Sequence, residues 1–152
     1  MQAEKSSIMV VDDEILIRDL LFDFLTAKGA EVHLAENGKK AMELIEQCDF
    51  QVALVDLKMP EIDGLEVTSA LCRKKPHVPV IIMTAYPSMD SAIDSIRHGV
   101  FDYIVKPFKI AELFEILNKA LAEYEFRVKS GYSCARSKDA ESKGERSQTA
   151  AE

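Results

Sequence analysis

Residues 51–64 read QVALVDLKMPEIDG. Four consecutive apolar side chains, Val52, Ala53, Leu54 and Val55, show no alternation of inward and outward faces. The stretch therefore predicts a strand buried on both sides, as in the interior of a parallel sheet. It stops at Asp56, after which Met59-Pro60 and Gly64 supply turn chemistry before a helical pattern begins. A buried strand that ends in a lone carboxylate is the unit around which the rest of the chain is read.

Outward from it, residues 8–11, 80–83 and 101–105 are similar runs rich in Val, Ile, Leu and Met, and also predict strands buried on both faces. Residues 31–35 alternate, with Val32 and Leu34 facing one way and Glu31 and His33 the other, which predicts an edge strand. Helical patterns separate the runs. Over residues 14–28, Ile17, Leu20, Leu21, Phe24 and Leu25 keep the spacing of one helix face, and Gly29 supplies a stop. Asn37 can cap a helix carrying Ala41, Leu44 and Ile45. A third begins near Gly64, carries Leu65, Val67, Leu71 and Cys72, and ends before Pro76 and Pro79. Ser88 or Asp90 can cap a short fourth helix that reaches Arg97 and is closed by Gly99. The last runs from about Ile110 through Leu113, Phe114, Leu117 and Leu121 to Tyr124. Five strand–helix units in about 120 residues give an α/β fold with a doubly wound, five-stranded parallel sheet; a barrel of eight such units needs roughly twice the chain.

The 152 residues are 47% hydrophobic and 30% charged, enough apolar material for one core. Residues 1–126 carry 13 basic and 22 acidic side chains, net −9, whereas residues 127–152 carry 6 and 4, net +2. An acidic globule repels phosphate backbones, so direct nucleic-acid binding is not expected, and a cation or a basic partner surface suits it better. Cys48, Cys72 and Cys134 form no CxxC pair and are too scattered for a disulfide framework, and His33, His77 and His98 have no partner at metal-ligand spacing. The run at 8–11 is too short for a signal-peptide core or a membrane span, so a soluble protein of the cytoplasm is expected, with no membrane partner. Beyond Phe126, Val128 and Tyr132 are the only large apolar side chains; residues 127–152 read as a polar, disordered tail or linker, with room for a turn or two more of the last helix. No output module fits in 26 such residues.

In an open parallel sheet, ligands bind outside the carboxyl ends of the strands. The first run is followed by Asp12-Asp13, the third by Asp56, the fourth by Thr84 and the fifth by Lys106. Carboxylates gathered at one rim repel each other by roughly 4 kcal/mol per pair at about 4 Å and an effective dielectric near 20. Either one keeps its proton or a cation relieves the strain, and Mg²⁺ suits an all-oxygen site that leaves positions open for water and phosphate. Lys106 then supplies a positive charge and Thr84 a hydroxyl for a phosphoryl oxygen, with Asp56 the best-placed nucleophile.

The set VVDDE, LVDLKMPEIDG, IIMTAY and DYIVKPF resembles the receiver domain of two-component response regulators over roughly residues 6–126. The resemblance implies a flavodoxin/CheY-like fold of strand order 2-1-3-4-5. It implies that Asp56 accepts a phosphoryl group from a phosphohistidine of a sensor histidine kinase or histidine phosphotransfer protein, becoming an aspartyl phosphate. Asp12, Asp13 and Asp56 would hold Mg²⁺ together with the backbone carbonyl of Lys58. Thr84 and Lys106 would bind the phosphoryl oxygens, Ala85 would leave access, and Tyr103 would swing inward with Thr84 as the switch. The Lys106-Pro107 bond would be cis. The fourth helix, fifth strand and last helix would form the face that changes its affinity for a downstream protein, with a phosphorylation-linked homodimer as one outcome. Such a chain is a signalling switch that catalyses only its own phosphorylation and dephosphorylation.

Three other readings fit less well. An aspartate-nucleophile Mg²⁺ phosphatase places a DxDxT-like pair after its first strand, where this chain has Asp12-Asp13-Glu14-Ile15. A flavin protein wants a hydroxyl- and glycine-rich phosphate loop there, which these acids would oppose. A scaffold without phosphorylation leaves the rim unexplained. Ile15 and Phe22 fall opposite the apolar stripe of the first helix, where Ile15 could help dock the kinase.

Overall fold

The computed structural model describes residues 6–131 of the chain. Five strands and five helices alternate: β1 (Ser7–Val11), α1 (Ile15–Ala27), β2 (Glu31–Ala35), α2 (Gly38–Gln47), β3 (Val52–Asp56), α3 (Gly64–Lys74), β4 (Val80–Thr84), α4 (Met89–Arg97), β5 (Asp102–Val105) and α5 (Ile110–Ser130). The strands form one parallel sheet in the order β2-β1-β3-β4-β5. This is the doubly wound order expected from the sequence, with the alternating run at residues 31–35 on an edge.

Successive side chains of a strand point to opposite faces, and each central strand feeds two cores. Met9, Val11, Ala53, Val55, Val80 and Ile82 face Leu44, Ile45, Val67 and Leu71 of α2 and α3. Ile8, Val10, Leu54, Ile81 and Met83 face Leu21 and Leu25 of α1 and Leu113 and Leu117 of α5. β1, β3 and β4 are consequently buried almost throughout. β5 departs from the expected continuous burial: it closes the other edge of the sheet, so Ile104 alone is buried and Val105 is exposed. Leu20 also leaves the expected stripe. The buried side of α1 centres on Leu21 and Leu25, with Ile17 and Phe24 flanking, and Leu20 falls at the margin with 47% exposure.

The helices begin where side chains satisfy their first amides. Asn37 Oδ1 accepts the Lys40 N–H at 2.8 Å. Asp63 and Glu66 form a capping box on α3. Between the two residues read as possible caps for α4, the structure selects Ser88, which forms a reciprocal box with Ser91. α5 continues six residues past Tyr124 and ends at Gly131, whose left-handed φ of 76° releases the chain from the helix. The rest of the expected tail, residues 132–152, lies outside the described residues. Among the described residues no helix is long and apolar enough to cross a membrane.

The topology fixes where a ligand can sit. The chain leaves β1 for β2 on one side and returns to β3 on the other, so the order reverses between β1 and β3. The crevice this opens lies at their carboxyl ends.

Candidate functional site

β1 and β3 place their terminal carboxylates on either side of that crevice. The Asp12 N–H continues the ladder to Ala35 O at 3.1 Å, which holds the residue in line with the strand although it lies one step past it. Its carboxylate then turns back: Oδ1 accepts the Glu14 N–H at 2.9 Å, and Arg18 Nη1 donates to the Asp12 carbonyl at 2.8 Å. This side-chain turn closes the loop before α1 and leaves Asp13 exposed at the rim. Asp56 ends β3 opposite Met83, and the Leu57 N–H bonds Met83 O at 2.9 Å, so the backbone that carries this carboxylate is fixed by a ladder and not by a loop. Gly64 packs directly beneath: a Cβ there would stand 2.3 Å from the Asp56 carbonyl oxygen.

Asp12, Asp13 and Asp56 each offer an oxygen within 4.8 Å of the others. Asp12 is wholly buried and Asp56 is 5% exposed. Lys106 enters from the end of β5, its own N–H bonded to Thr84 O at 2.7 Å and its bond to Pro107 cis, as the resemblance implies. Its ammonium lies 2.7 Å from Asp12 Oδ2, 3.0 Å from Glu14 Oε1 and 3.5 Å from Asp56 Oδ1. Burial and the neighbouring charge of Asp12 push the Asp56 carboxyl up to about 7, with Asp13 adding to the rise and Lys106 opposing it. Burial likewise lifts Asp12, against the hydrogen bond from Lys106. Burial pulls Lys106 down, but hydrogen bonds to Asp12 and Glu14 and the nearby negative charges outweigh it, so the ammonium form is favoured.

Three carboxylates sharing one ammonium hold a surplus of negative charge that the protein's own groups do not neutralise. All the converging donors are oxygens, so the site fits a hard divalent cation such as Mg²⁺. Asp13, Glu14, Asp56, Lys58, Ala85, Tyr86 and Lys106 line a cavity of about 220 Å³ over the acids. A larger hollow of about 340 Å³ lies at the opposite, amino end of β3 and β4, between Asp49, Phe50, Lys75, Pro76 and Tyr124. It holds no comparable convergence of acids, and its size alone is no argument for chemistry.

Thr84, the last residue of β4, is fully buried, and its Oγ1 accepts the Tyr86 N–H at 3.0 Å. Tyr103 stands on β5 opposite Ile82, and its hydroxyl lies 2.9 Å from Ser91 Oγ in the first turn of α4. The structure thus gathers Asp12, Asp13, Asp56, Thr84 and Lys106 at one rim, with Lys58 on the cavity wall and Tyr103 one step removed. Sequence reasoning assigned no role to three neighbours. Glu14 was visible as a third consecutive acid after the first strand, whereas nothing in the local pattern marked Arg18 or Ser91.

The family model for the response regulator receiver domain matches residues 8–118. Regulatory protein AtoC of Escherichia coli K12 is 39% identical over 114 residues, which are 75% of this chain and 25% of that protein. Transcriptional regulatory protein ZraR of Klebsiella oxytoca is 38% identical over 122 residues, 80% of this chain and 28% of its own length. The chain therefore spans about a quarter of the length of these curated relatives. Among solved structures, a CheY-like receiver domain protein from Methanospirillum hungatei JF-1 matches with TM-score 0.78 and 30% identity, over 82% of this chain and 99% of that one. The response regulator TrrA of Thermotoga maritima, solved in complex with Mg(2+)-BeF, matches with TM-score 0.69 and 37% identity, over 76% and 99%.

Proposed function

The chain belongs to the response regulator receiver domain family, and from that premise we propose that it is the phosphoacceptor switch of a two-component phosphorelay. Residues 6–126 form the receiver domain, and residues 127–130 prolong its last helix, with Arg127 buried against it. A sensor histidine kinase or a histidine phosphotransfer protein supplies the phosphoryl group, and a cytoplasmic location follows from that role. The observation that carries the reading is the meeting of Asp12, Asp13 and Asp56 within 4.8 Å beside a buried lysine at the reversal point of the sheet.

A carboxylate oxygen of Asp56 attacks phosphorus in line with the leaving imidazole; the P–N bond breaks as the new P–O bond forms, and the histidine leaves with the electron pair. Fixed charge and position do most of the work in such a transfer. Asp12 and Lys106 hold each other at 2.7 Å, which keeps the ammonium at the rim next to Asp56. The Thr84 hydroxyl donates to a phosphoryl oxygen once the group is attached, and Ala85 leaves the approach open. Asp12, Asp13, Asp56 and the Lys58 carbonyl form the metal site, and bound Mg²⁺ would neutralise the acids and keep Asp56 ionised.

The reporting face is α4, β5 and α5. Met89, Ile93 and Ile96 of α4 and Val105 of β5 are exposed apolar side chains there. Tyr103, bonded to Ser91 of α4, is the residue of that face that would follow the Thr84 hydroxyl when it turns to the phosphoryl group. A downstream protein or a second copy of the chain binds where this face changes. The domain acts on no substrate but its own aspartyl group.

Intact-mass spectrometry after incubation with acetyl phosphate tests the reading. A gain of one phosphoryl group that requires Mg²⁺ and is lost in Asp56→Asn is expected. A folded protein that gains no phosphoryl group from acetyl phosphate or from a histidine kinase, with Mg²⁺ present, would overturn it.

A further inference from the structure

Lys106 has two buried partners at the site and one that is not. Asp12 is wholly buried and Asp56 nearly so, while the Glu14 side chain is 59% exposed yet reaches Lys106 Nζ at 3.0 Å, closer than Asp56 does at 3.5 Å. Glu14 also sits at the N-cap of α1, a position that favours Ser, Thr, Asp or Asn. Its side chain makes no capping hydrogen bond there. The backbone of the turn is instead secured by Asp12, which takes the Glu14 N–H. Helix capping therefore does not account for where the Glu14 carboxylate points. It also lies outside the group of oxygens able to hold one ion, which consists of Asp12, Asp13 and Asp56, but it does line the cavity above them.

We propose that Glu14 is a positioning residue that competes with the phosphoryl group for Lys106. In the resting site its carboxylate occupies the outward side of the ammonium, the side from which an anionic phosphoryl group approaches. When that group arrives, the Glu14–Lys106 contact opens and the glutamate turns to water, at little cost because it is already more than half exposed. The residue sets a threshold: it keeps the lysine aligned while the site is empty and resists occupation by anions that bind weakly. Two consequences have opposite signs. Removing the negative charge strengthens phosphoryl binding, because Lys106 is released and a like charge is withdrawn. The same change leaves Mg²⁺ binding equal or slightly weaker, because the field favouring a cation is reduced.

This inference rests on the phosphoacceptor reading, and the experiment separates the two. Beryllium fluoride, a phosphoryl mimic, is titrated into the protein at saturating Mg²⁺, followed by calorimetry, for wild type, Glu14→Gln and Glu125→Gln. Glu125 is exposed near the far end of α5 and controls for net charge. Mg²⁺ alone is titrated in parallel, and acetyl phosphate labelling rates are measured by intact mass. Glu14→Gln is expected to bind beryllium fluoride about two- to fivefold more tightly, the scale of a partly exposed ion pair, and to be labelled faster by a similar factor. Glu125→Gln is expected to match wild type. Unchanged or weaker beryllium fluoride binding by Glu14→Gln, with wild type binding normally, overturns the inference alone. A loss of Mg²⁺ affinity beyond about tenfold would make Glu14 part of the metal site, as a ligand or as an outer-shell partner of one, which also overturns it. Failure of the wild type to bind the mimic or to gain a phosphoryl group overturns the phosphoacceptor reading and takes this inference with it.

Discussion

Asp56 holds its proton longer in the folded domain than in the unfolded chain, because burial and the charge of Asp12 raise it from 3.8 to about 7. Between those values the native state binds more protons than the unfolded one, so stability falls as pH rises through that window. Asp12 is raised by burial and adds in the same sense. Lys106, raised by its partners, contributes stability that is present below its ordinary 10.5 and is lost only in strong base, outside this range. The metal-free protein is therefore expected to be less stable at pH 8 than at pH 5 as far as these groups decide it. Asp56→Asn should flatten that slope and raise stability at pH 8 by about 1 kcal/mol, the usual yield of relieving a like-charge cluster. Urea denaturation at both pH values, in the presence of a chelator, measures this. A variant as steeply pH-dependent as wild type would show that the acids are relieved in some other way.

At the scale of elements, the end of β3 and the start of α3 behave as one part. The Gly64 N–H bonds Leu57 O at 2.9 Å, and a Cβ at Gly64 would meet the Asp56 carbonyl oxygen at 2.3 Å and Leu57 Cα at 2.9 Å. All of these are backbone atoms, which cannot rotate away. Gly64→Ala should therefore cost about 1–3 kcal/mol and also slow phosphoryl uptake, since relief moves the acceptor strand; thermal melts and acetyl phosphate labelling of the same sample test both. Such strand ends were legible in the sequence because continuous apolar runs mark buried strands and the next residue must fall at the rim. That reasoning found Asp12, Asp56, Thr84 and Lys106. It misread β5, because Phe101, Tyr103, Ile104 and Val105 look like an interior strand, and only the order of strands reveals that an edge leaves half of such side chains uncovered. It had no access to the Ser91–Tyr103 contact, which joins two elements and depends on how α4 is rotated. That contact makes its own prediction. Ser91→Ala removes both the Tyr103 partner and part of the α4 cap, so it should destabilise the first turn of α4 by about 1 kcal/mol. Tyr103→Phe removes the contact alone. If α4 amides exchange faster in Ser91→Ala but stay as in wild type in Tyr103→Phe, the cap and not the tyrosine holds that turn.

Across the whole molecule, cohesion is unevenly distributed, and this decides which part can move. α3 fully buries Val67, Thr68, Ala70, Leu71 and Cys72 together with Gly64, and α5 buries Leu113, Leu117, Ala120, Leu121 and Arg127. α4 fully buries Ser95 alone, while Met89, Ile93 and Ile96 face outward. A helix held by so little apolar burial opens at a lower free energy than the rest of the fold. It also stands next to the edge strand that carries Tyr103, whose hydroxyl lies 2.9 Å from Ser91 Oγ. Under the proposed switch, a charge change at the rim finds in α4 the element most able to respond, while the two cores on either face of β1, β3 and β4 stay fixed. Hydrogen exchange followed by mass spectrometry should show α4 as the least protected helix of the metal-free domain. Mg²⁺ with beryllium fluoride should alter protection in α4 and β5 and leave α2 unchanged, and Asp56→Asn should abolish that response. Mg²⁺ alone acts differently: at a hundredfold excess over its dissociation constant it should stabilise the fold by about 2.7 kcal/mol, without singling out α4. If beryllium fluoride with Mg²⁺ protects every helix equally, occupation of the site stabilises the domain as a whole, and the face containing α4 is not where the signal emerges.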